Sequence, residues 1–256
     1  MDKKFFFFDI DGTLTIKETG KVVSSALEAI DKLKAEGHFV AIATGRAAYK
    51  AIPMLEICHM DHMVCNGGAG IVINHELVEN EPLDKQKAVR ICQQAEQLGY
   101  GVLVAIDNSI KVVMKNDLFQ KQVGERHEPT IYEYMEGDYE DLDSIYKIYI
   151  SIPKEKEHEL TLKDTLGNMR FHEDYLMYQH DKKDIGIKRI LELCGGKDED
   201  VVVFGDDTND FAMFKDEWYK VAMGNACDEL KEKADFVTKE NKDDGILYAC
   251  VKNNWI

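Results

Sequence analysis

The sequence has no Cys-x-x-Cys pair, no apolar run long enough for a membrane span and no excess of basic residues. It also has no internal repeat and no low-complexity tract. Each absence removes a class of function. The six cysteines, at positions 58, 65, 92, 194, 227 and 250, are scattered through apolar surroundings. That distribution fits buried free thiols in a reducing compartment better than a disulfide framework, so a cytoplasmic protein is expected. A transmembrane helix needs roughly 20 apolar residues in succession, and none is found, so no membrane partner is expected. The run Phe5–Phe8 is too short for the core of a secretory leader, and acidic Asp9 follows it at once. Lys and Arg number 32 against 48 Asp and Glu, a formal net charge of -16. That balance disfavours nucleic acid and anionic lipid as partners. A phosphorylated ligand would have to be drawn in by a local cation.

What is present is a globular composition, 45% hydrophobic and 31% charged over 256 residues, long enough for two domains. The first part alternates strand and helix. Phe5–Ile10 reads as a strand, Ser24–Glu36 as a helix with Ala26, Leu27, Ile30 and Leu33 on one face, and His38–Thr44 as a strand. Ala47–Glu56 follows as a helix and His62–Cys65 as a third strand. The last part repeats the pattern: helix Ile185–Cys194, strand Val201–Phe204, helix Asp210–Lys215, strand Tyr219–Ala222, helix Ala226–Ala234 and strand Phe236–Val237. Such alternation implies a parallel sheet with helices on both faces.

Between these halves the pattern changes. A hairpin is expected around Asn74-His75, then a helix over Leu83–Leu98 and a second hairpin around Asp107-Asn108-Ser109. A helix from about Asp117, a strand Tyr146–Ile152, a helix Pro153–Leu166 and strands near Met169–Phe171 and Leu176–Gln179 complete the segment. The expected fold class is therefore α/β, a Rossmann-like parallel-sheet core over 1–81 and 181–256 with an inserted α+β domain over 82–180. In the insert, Tyr132, Tyr134 and His127 fit a surface loop and a specificity loop equally well. Trp218 and Trp255, outside it, read as packing residues. Cys58, His59, His62 and Cys65 are all zinc-capable, but their spacing matches no common zinc pattern and Met63–Cys65 reads as strand.

Chemistry collects at strand ends. Asp9-Ile10-Asp11-Gly12-Thr13 closes the first strand, Thr44-Gly45-Arg46 the second, and Gly205-Asp206-Asp207-Thr208-Asn209-Asp210 follows Val201–Phe204. Open parallel sheets bind ligands just past such carboxyl ends. Four or five acids around one cleft repel one another unless a cation offsets them, and oxygen ligands select a hard ion, Mg²⁺ above all. A carboxylate can attack phosphorus to give an aspartyl-phosphate, and a second acid can move the proton. Thr44, Lys183 and amides at helix starts could hold the phosphoryl oxygens. Arg46 could instead simply pair with a carboxylate, and Thr208 or Asp210 could cap the following helix.

Asp9-x-Asp11-Gly12-Thr13, Thr44-Gly45-Arg46, a lysine before Gly186 and Gly205-Asp206-Asp207-x-Asn209-Asp210 together resemble the four motifs of the haloacid dehalogenase superfamily. Their order and the place of the insert resemble its Cof-type subgroup with a type IIB cap. The resemblance implies that Asp9 is nucleophile and metal ligand. Asp11 would be general acid/base and bind metal through its carbonyl, and Asp206 would complete a Mg²⁺ site. It implies phosphate binding by Ile10, Thr44, Gly45 and Lys183, with Asn209 and Asp210 binding phosphate or orienting the site. Asn66-Gly67-Gly68 would line the cleft under the cap. Of Lys182 and Lys183, the spacing to Gly186 selects Lys183; Asp207 is an extra acid near the metal. The implied activity is a Mg²⁺-dependent phosphatase for small phosphorylated metabolites such as sugar phosphates, working as monomer or homodimer. A phosphomannomutase-like phosphomutase and a receiver-type phospho-acceptor are the alternatives.

Overall fold

The computed structural model describes residues 2–256, with Phe171 described by its backbone alone. In chain order the elements begin β1 (Phe5–Phe8), α1 (Ser24–Ala35), β2 (Phe39–Ala43), α2 (Ala48–Ile57), β3 (Met63–Cys65), β4 (Gly70–Ile73) and β5 (Glu76–Asn80). They continue with α3 (Lys85–Gln97), β6 (Val102–Ala105), β7 (Lys111–Met114), α4 (Leu118–Val123), β8 (Ile131–Tyr134), β9 (Lys147–Ile150), β10 (Asn168–His172) and β11 (Tyr175–Tyr178). The chain closes with α5 (Lys183–Cys194), β12 (Val201–Gly205), β13 (Tyr219–Ala222), α6 (Asp228–Lys233), β14 (Phe236–Val237) and α7 (Gly245–Lys252). Two compact units result, one from residues 1–80 and 182–256, the other from 81–181.

The first unit is built on an eight-stranded sheet in the order β14-β13-β12-β1-β2-β3-β4-β5. The strands from β14 to β3 run parallel, and β4 and β5 are antiparallel additions. The four phenylalanines of β1 lie between β12 and β2, with Phe5 opposite both Val201 and Phe39. Successive residues of a strand point to opposite faces. Phe6 and Phe8 accordingly join α1, α2 and α7 in one apolar layer, and Phe5 and Phe7 join α5 and α6 in the other. Each fully buried phenylalanine contributes about 1.5–3 kcal/mol of transfer free energy, so this unbroken apolar run makes β1 the spine of the unit. β1 ends at Phe8, so Asp9 and Asp11 lie on the turn that follows.

The hairpin β4–β5 turns through Asn74 and His75, both at positive φ (50° and 67°), the backbone that a two-residue hairpin requires. Gly37 (φ 86°) ends α1.

The second unit holds a six-stranded sheet, β10-β11-β9-β6-β7-β8. α3 packs on one face through Ala88, Ile91, Cys92 and Ala95, and the other face carries Leu103, Val112, Met114, Tyr149 and Phe119 of α4. Two expectations for this unit are corrected. The helix over 153–166 is absent: Lys154–Glu159 and Lys163–Thr165 are short 3-10 turns with no buried residue, and the segment docks instead through Leu160, Leu162 and Leu166, whose spacing does not make a helical stripe. Conversely, Ile131–Tyr134 forms an edge strand parallel to β7, so Tyr132 and Tyr134 belong to a sheet and not to a loop. Its exposure, 44% at Ile131 and 67% at Tyr134, left no inside–outside alternation to read. Among the described residues no helix is long and apolar enough to cross a membrane.

Candidate active site

The carboxyl ends of β1, β2 and β12 and the first residue of α5 bring the charged residues of the first unit together. Lys183 is the hub. Its side chain is 1% exposed, and its Nζ donates to Asp9 Oδ1 at 2.7 Å and to Asp210 Oδ1 at 2.6 Å. Burial alone would lower the lysine's pKa, but the charges of Asp210 and Asp9 outweigh it and hold the ammonium above its ordinary value. Lys182, its neighbour, uses its backbone N–H to reach the Gly67 carbonyl at 2.8 Å.

The start of α5 is fixed by close backbone packing. A Cβ on Gly68 (φ 103°) would lie 2.0 Å from the Lys182 carbonyl oxygen, and one on Gly186 would lie 2.4 Å from Val64 Cγ1. The turn Asn66-Gly67-Gly68 therefore seats the helix that carries Lys183. Asn66 itself is buried at φ 51° and donates from Nδ2 to Asn80 Oδ1 at 3.1 Å.

Asp210 is fully buried and fully occupied. Its Oδ1 takes Lys183, and its Oδ2 accepts the backbone N–H groups of Asp206 at 2.8 Å and Asp207 at 3.2 Å. A Cβ on Gly205 would approach Asp210 to 2.7 Å, so only glycine lets the strand end come this near. Asp210 thus orients the Gly205–Asp207 loop. The helix expected over Asp210–Lys215 is instead a 3-10 helix, Thr208–Met213, and neither Thr208 nor Asp210 is its N-cap. Asp207 is: its Oδ1 accepts the Thr208 N–H at 2.8 Å, and Asp210 answers from the third position as a capping box. Asn209, half-buried, lies in that helix's first turn.

Three carboxylates, Asp9, Asp206 and Asp210, each place an oxygen within 4.8 Å of the other two, and this is the one such group among the described residues. The Cys58–Cys65 cluster forms none: Cys58 and Cys65 are buried, and His59 pairs with Asp31. Asp9 is pushed up to about 7, first by burial and then by the charge of Asp210, despite Lys183. Asp206 is pushed up to about 8, by burial and then by Asp9 and Asp210. The one lysine, shared between Asp9 and Asp210, does not offset the burial and mutual repulsion of these acids. Asp206 Oδ1 accepts the Thr13 hydroxyl at 3.0 Å, and its Oδ2 faces Gly12 (φ 96°), where a Cβ would come within 2.1 Å. Lys183 engages only Oδ1 of Asp9. With Asp210 saturated, Asp9 and Asp206 are left as the two oxygen donors fit for a hard divalent cation.

Asp11 points elsewhere. Its side chain is half exposed and is gripped by Arg46, Nε to Oδ2 at 2.9 Å and Nη2 to Oδ1 at 2.5 Å. Of the two readings of Arg46, the carboxylate pairing is the one found. Thr44, 1% exposed, accepts the Arg46 N–H on its hydroxyl at 3.1 Å, and Gly45 lies between them. The Ile10 side chain is buried in the core, and its carbonyl takes the N–H and hydroxyl of Thr15, which fixes the turn.

Three residues escaped the sequence reading. Lys17 Nζ contacts Asp207 Oδ2 at 2.6 Å. Asn225 donates to the Gly12 carbonyl at 2.8 Å, and Asn241 to the Thr15 carbonyl at 2.8 Å. Asn225 follows β13 at the same edge of the sheet, so applying the strand-end rule once more would have found it. No comparable signal marks Lys17 or Asn241.

The raised carboxyls set a pH dependence. Native Asp9 and Asp206 hold protons more tightly than the unfolded chain does, where the ordinary value is 3.8. Stability in chelator is therefore expected to fall as pH rises from about 4 toward 8, by about 1.4 kcal/mol per pH unit for each group that is forced to ionise. Urea midpoints at pH 5, 6, 7 and 8 measure it, with a Mg²⁺ series alongside in which the loss is reversed. A flat chelator profile would contradict the electrostatics described.

Residues 6–250 match the model of the haloacid dehalogenase-like hydrolases. YkrA of Bacillus subtilis, provisionally named as a phosphatase, is 31% identical over 97% of both chains. A Streptococcus pyogenes protein, provisionally named as a bifunctional phosphatase and peptidyl-prolyl cis-trans isomerase, is 30% identical over 96% of this chain. This chain spans only 53% of that protein's length. A solved subclass IIB sugar phosphatase of the same superfamily shares 26% identity at a TM-score of 0.79 over 99% of this chain and all of that one. The chain belongs to the haloacid dehalogenase-like hydrolases, in their Cof-type branch.

Proposed function

We propose that this chain is a Mg²⁺-dependent phosphatase that hydrolyses small phosphorylated metabolites, sugar phosphates or similar phosphomonoesters, through an aspartyl-phosphate. The observation that carries the reading is the buried Asp9 carboxylate, held by Lys183 at one oxygen and set beside Asp206. The second oxygen of Asp9 attacks phosphorus as the ester oxygen departs, and Asp11, protonated and released from Arg46 when substrate is bound, gives that oxygen its proton. Asp11, now a carboxylate, takes a proton from water as the water attacks the aspartyl-phosphate. Inorganic phosphate leaves and Asp9 is restored. Lys183, the Thr44 hydroxyl and the amides of Ile10 and Gly45 hold the phosphoryl oxygens, Asp210 keeps Lys183 in place, and Asn209 stands by the phosphate. Asp9, Asp206 and the Asp11 carbonyl would hold Mg²⁺. The ion supplies charge that lowers the repulsion between carboxylate and phosphate.

The similarity to a subclass IIB sugar phosphatase supports the sugar-phosphate class, and an inserted unit of this size favours small over macromolecular substrates. The test is phosphate release from a panel of sugar phosphates, nucleotides, pyridoxal phosphate and flavin mononucleotide, with Mg²⁺ and with chelator. Release that depends on Mg²⁺ is expected for at least one small ester. Formation of an isomeric sugar phosphate without release would make the protein a phosphomutase, and silence across the panel would sink the phosphatase reading.

A further inference from the structure

Lys17 stands apart from the residues that handle phosphate, yet it belongs to the same charge system. It lies on the loop that leaves the Asp9–Thr13 turn, and its ammonium is 2.6 Å from Asp207 Oδ2. Asp207 is held from the other side by its helix-capping bond, so the ion pair has a fixed acceptor. Lys17 and Asp207 line a cavity of about 330 Å³ whose wall also includes Gly12, Asp206 and Asn225. Lys17 and Asp206 thus line one cavity, and the negative charges of Asp206 and Asp11 act on the ammonium in addition to that of Asp207.

The charge inventory gives this placement a meaning. Five carboxylates of the strand ends (Asp9, Asp11, Asp206, Asp207 and Asp210) stand against three cations, each already paired: Lys183 with Asp9 and Asp210, Arg46 with Asp11, and Lys17 with Asp207; the cavity wall adds Glu18 and the Lys242–Glu240 pair. The carboxylates outnumber the cations, and a bound divalent cation would reduce that surplus. Without Lys17 the surplus would grow by one.

We infer that Lys17 is a tethered counter-charge that sets how tightly, and at what charge, the Asp9–Asp206 site binds its cation. It is a positioning residue of the metal site, acting through Asp207 and across the cavity without touching the substrate. The inference rests on the divalent-cation site of the proposed function, and the experiment separates the two. A unit charge at the wall of such a cavity is only partly screened, and its removal shifts cation affinity by about threefold to tenfold.

The probe is Mn²⁺, a hard divalent cation taken by oxygen ligands as Mg²⁺ is, with the free ion counted by electron paramagnetic resonance. Wild-type protein is expected to bind Mn²⁺, and Asp206→Asn to lose that binding. Lys17→Met is expected to bind about threefold to tenfold more tightly than wild type, Asp207→Asn more weakly, and the double variant within about twofold of wild type. Lys17 is 58% exposed, so both Lys17→Met and a second probe, Lys17→Gln, leave the core untouched. Lys17 variants that bind Mn²⁺ no more tightly than wild type overturn the inference, as does a double variant as tight as Lys17→Met. Wild-type protein that binds no Mn²⁺, or Asp206→Asn that binds it undiminished, overturns the metal site itself and the inference with it.

Discussion

Lys183→Met is expected to lose phosphate release and to cost about 3–5 kcal/mol of folding stability in metal-free buffer. That is the scale for removing one partner of a buried ion pair. The lysine is the shared counter-ion of Asp9 and Asp210, and both acids are buried. Methionine fills most of the volume but leaves two carboxylates facing each other. They can escape only by taking a proton, so the penalty should be largest above about pH 8 and shrink toward pH 5. Urea unfolding of wild type and variant at both ends of that range checks the size and the pH dependence. A variant as stable as wild type at pH 8 would mean that Lys183 is not the counter-ion of the cluster.

Asp9→Asn should behave in the opposite way. Turnover is expected to fall by roughly 10⁴-fold or more, because an amide cannot form the acyl-phosphate bond. Stability without metal, however, should hold or rise. The substitution would remove a buried carboxyl that is raised to about 7 by burial and by Asp210, while Lys183 keeps Asp210 as its partner. Thermal unfolding in chelator and steady-state phosphate release on the same preparation separate the two effects. Retained turnover would assign the nucleophile elsewhere. The contrast between the two variants is the sharper test, since a purely structural account of the cluster predicts that both destabilise.

The sequence pattern reached the sheet further than the site. β1 was readable because four phenylalanines in succession have one comfortable environment, a strand covered on both faces, and α1 because its apolar positions recur at helical spacing. The acids gather because each follows a strand of one parallel sheet, and direction along the sheet brings such ends to one edge. What the pattern could not carry was the direction of individual side chains. Asp9 and Asp11 are two residues apart, yet one is buried on Lys183 and the other lies half exposed on Arg46, because the strand stops at Phe8 and the turn separates them. Asp210 reads as one more acid of the motif, but three hydrogen-bond donors consume it. In the second unit the reading failed where hydrophobic periodicity failed, at the exposed strand Ile131–Tyr134 and the lysine- and glutamate-rich turn Lys154–Glu159.

The phenylalanine strand has a kinetic consequence. Local openings start where few apolar contacts hold the backbone, and the segments richest in such contacts exchange their amide hydrogens only when the whole unit unfolds. Phe6, Phe7 and Phe8 have no solvent exposure and are flanked by paired strands on both sides. Asp9 is bonded to the chain directly after them, and its own amide is tied to the Phe204 carbonyl at 3.0 Å. The carboxylate proposed as nucleophile is therefore anchored on the part of the sheet expected to let go last. Loops around it can open while Asp9 keeps its place, and under denaturant the loss of any turnover that depends on Asp9 is expected to coincide with global unfolding of its unit.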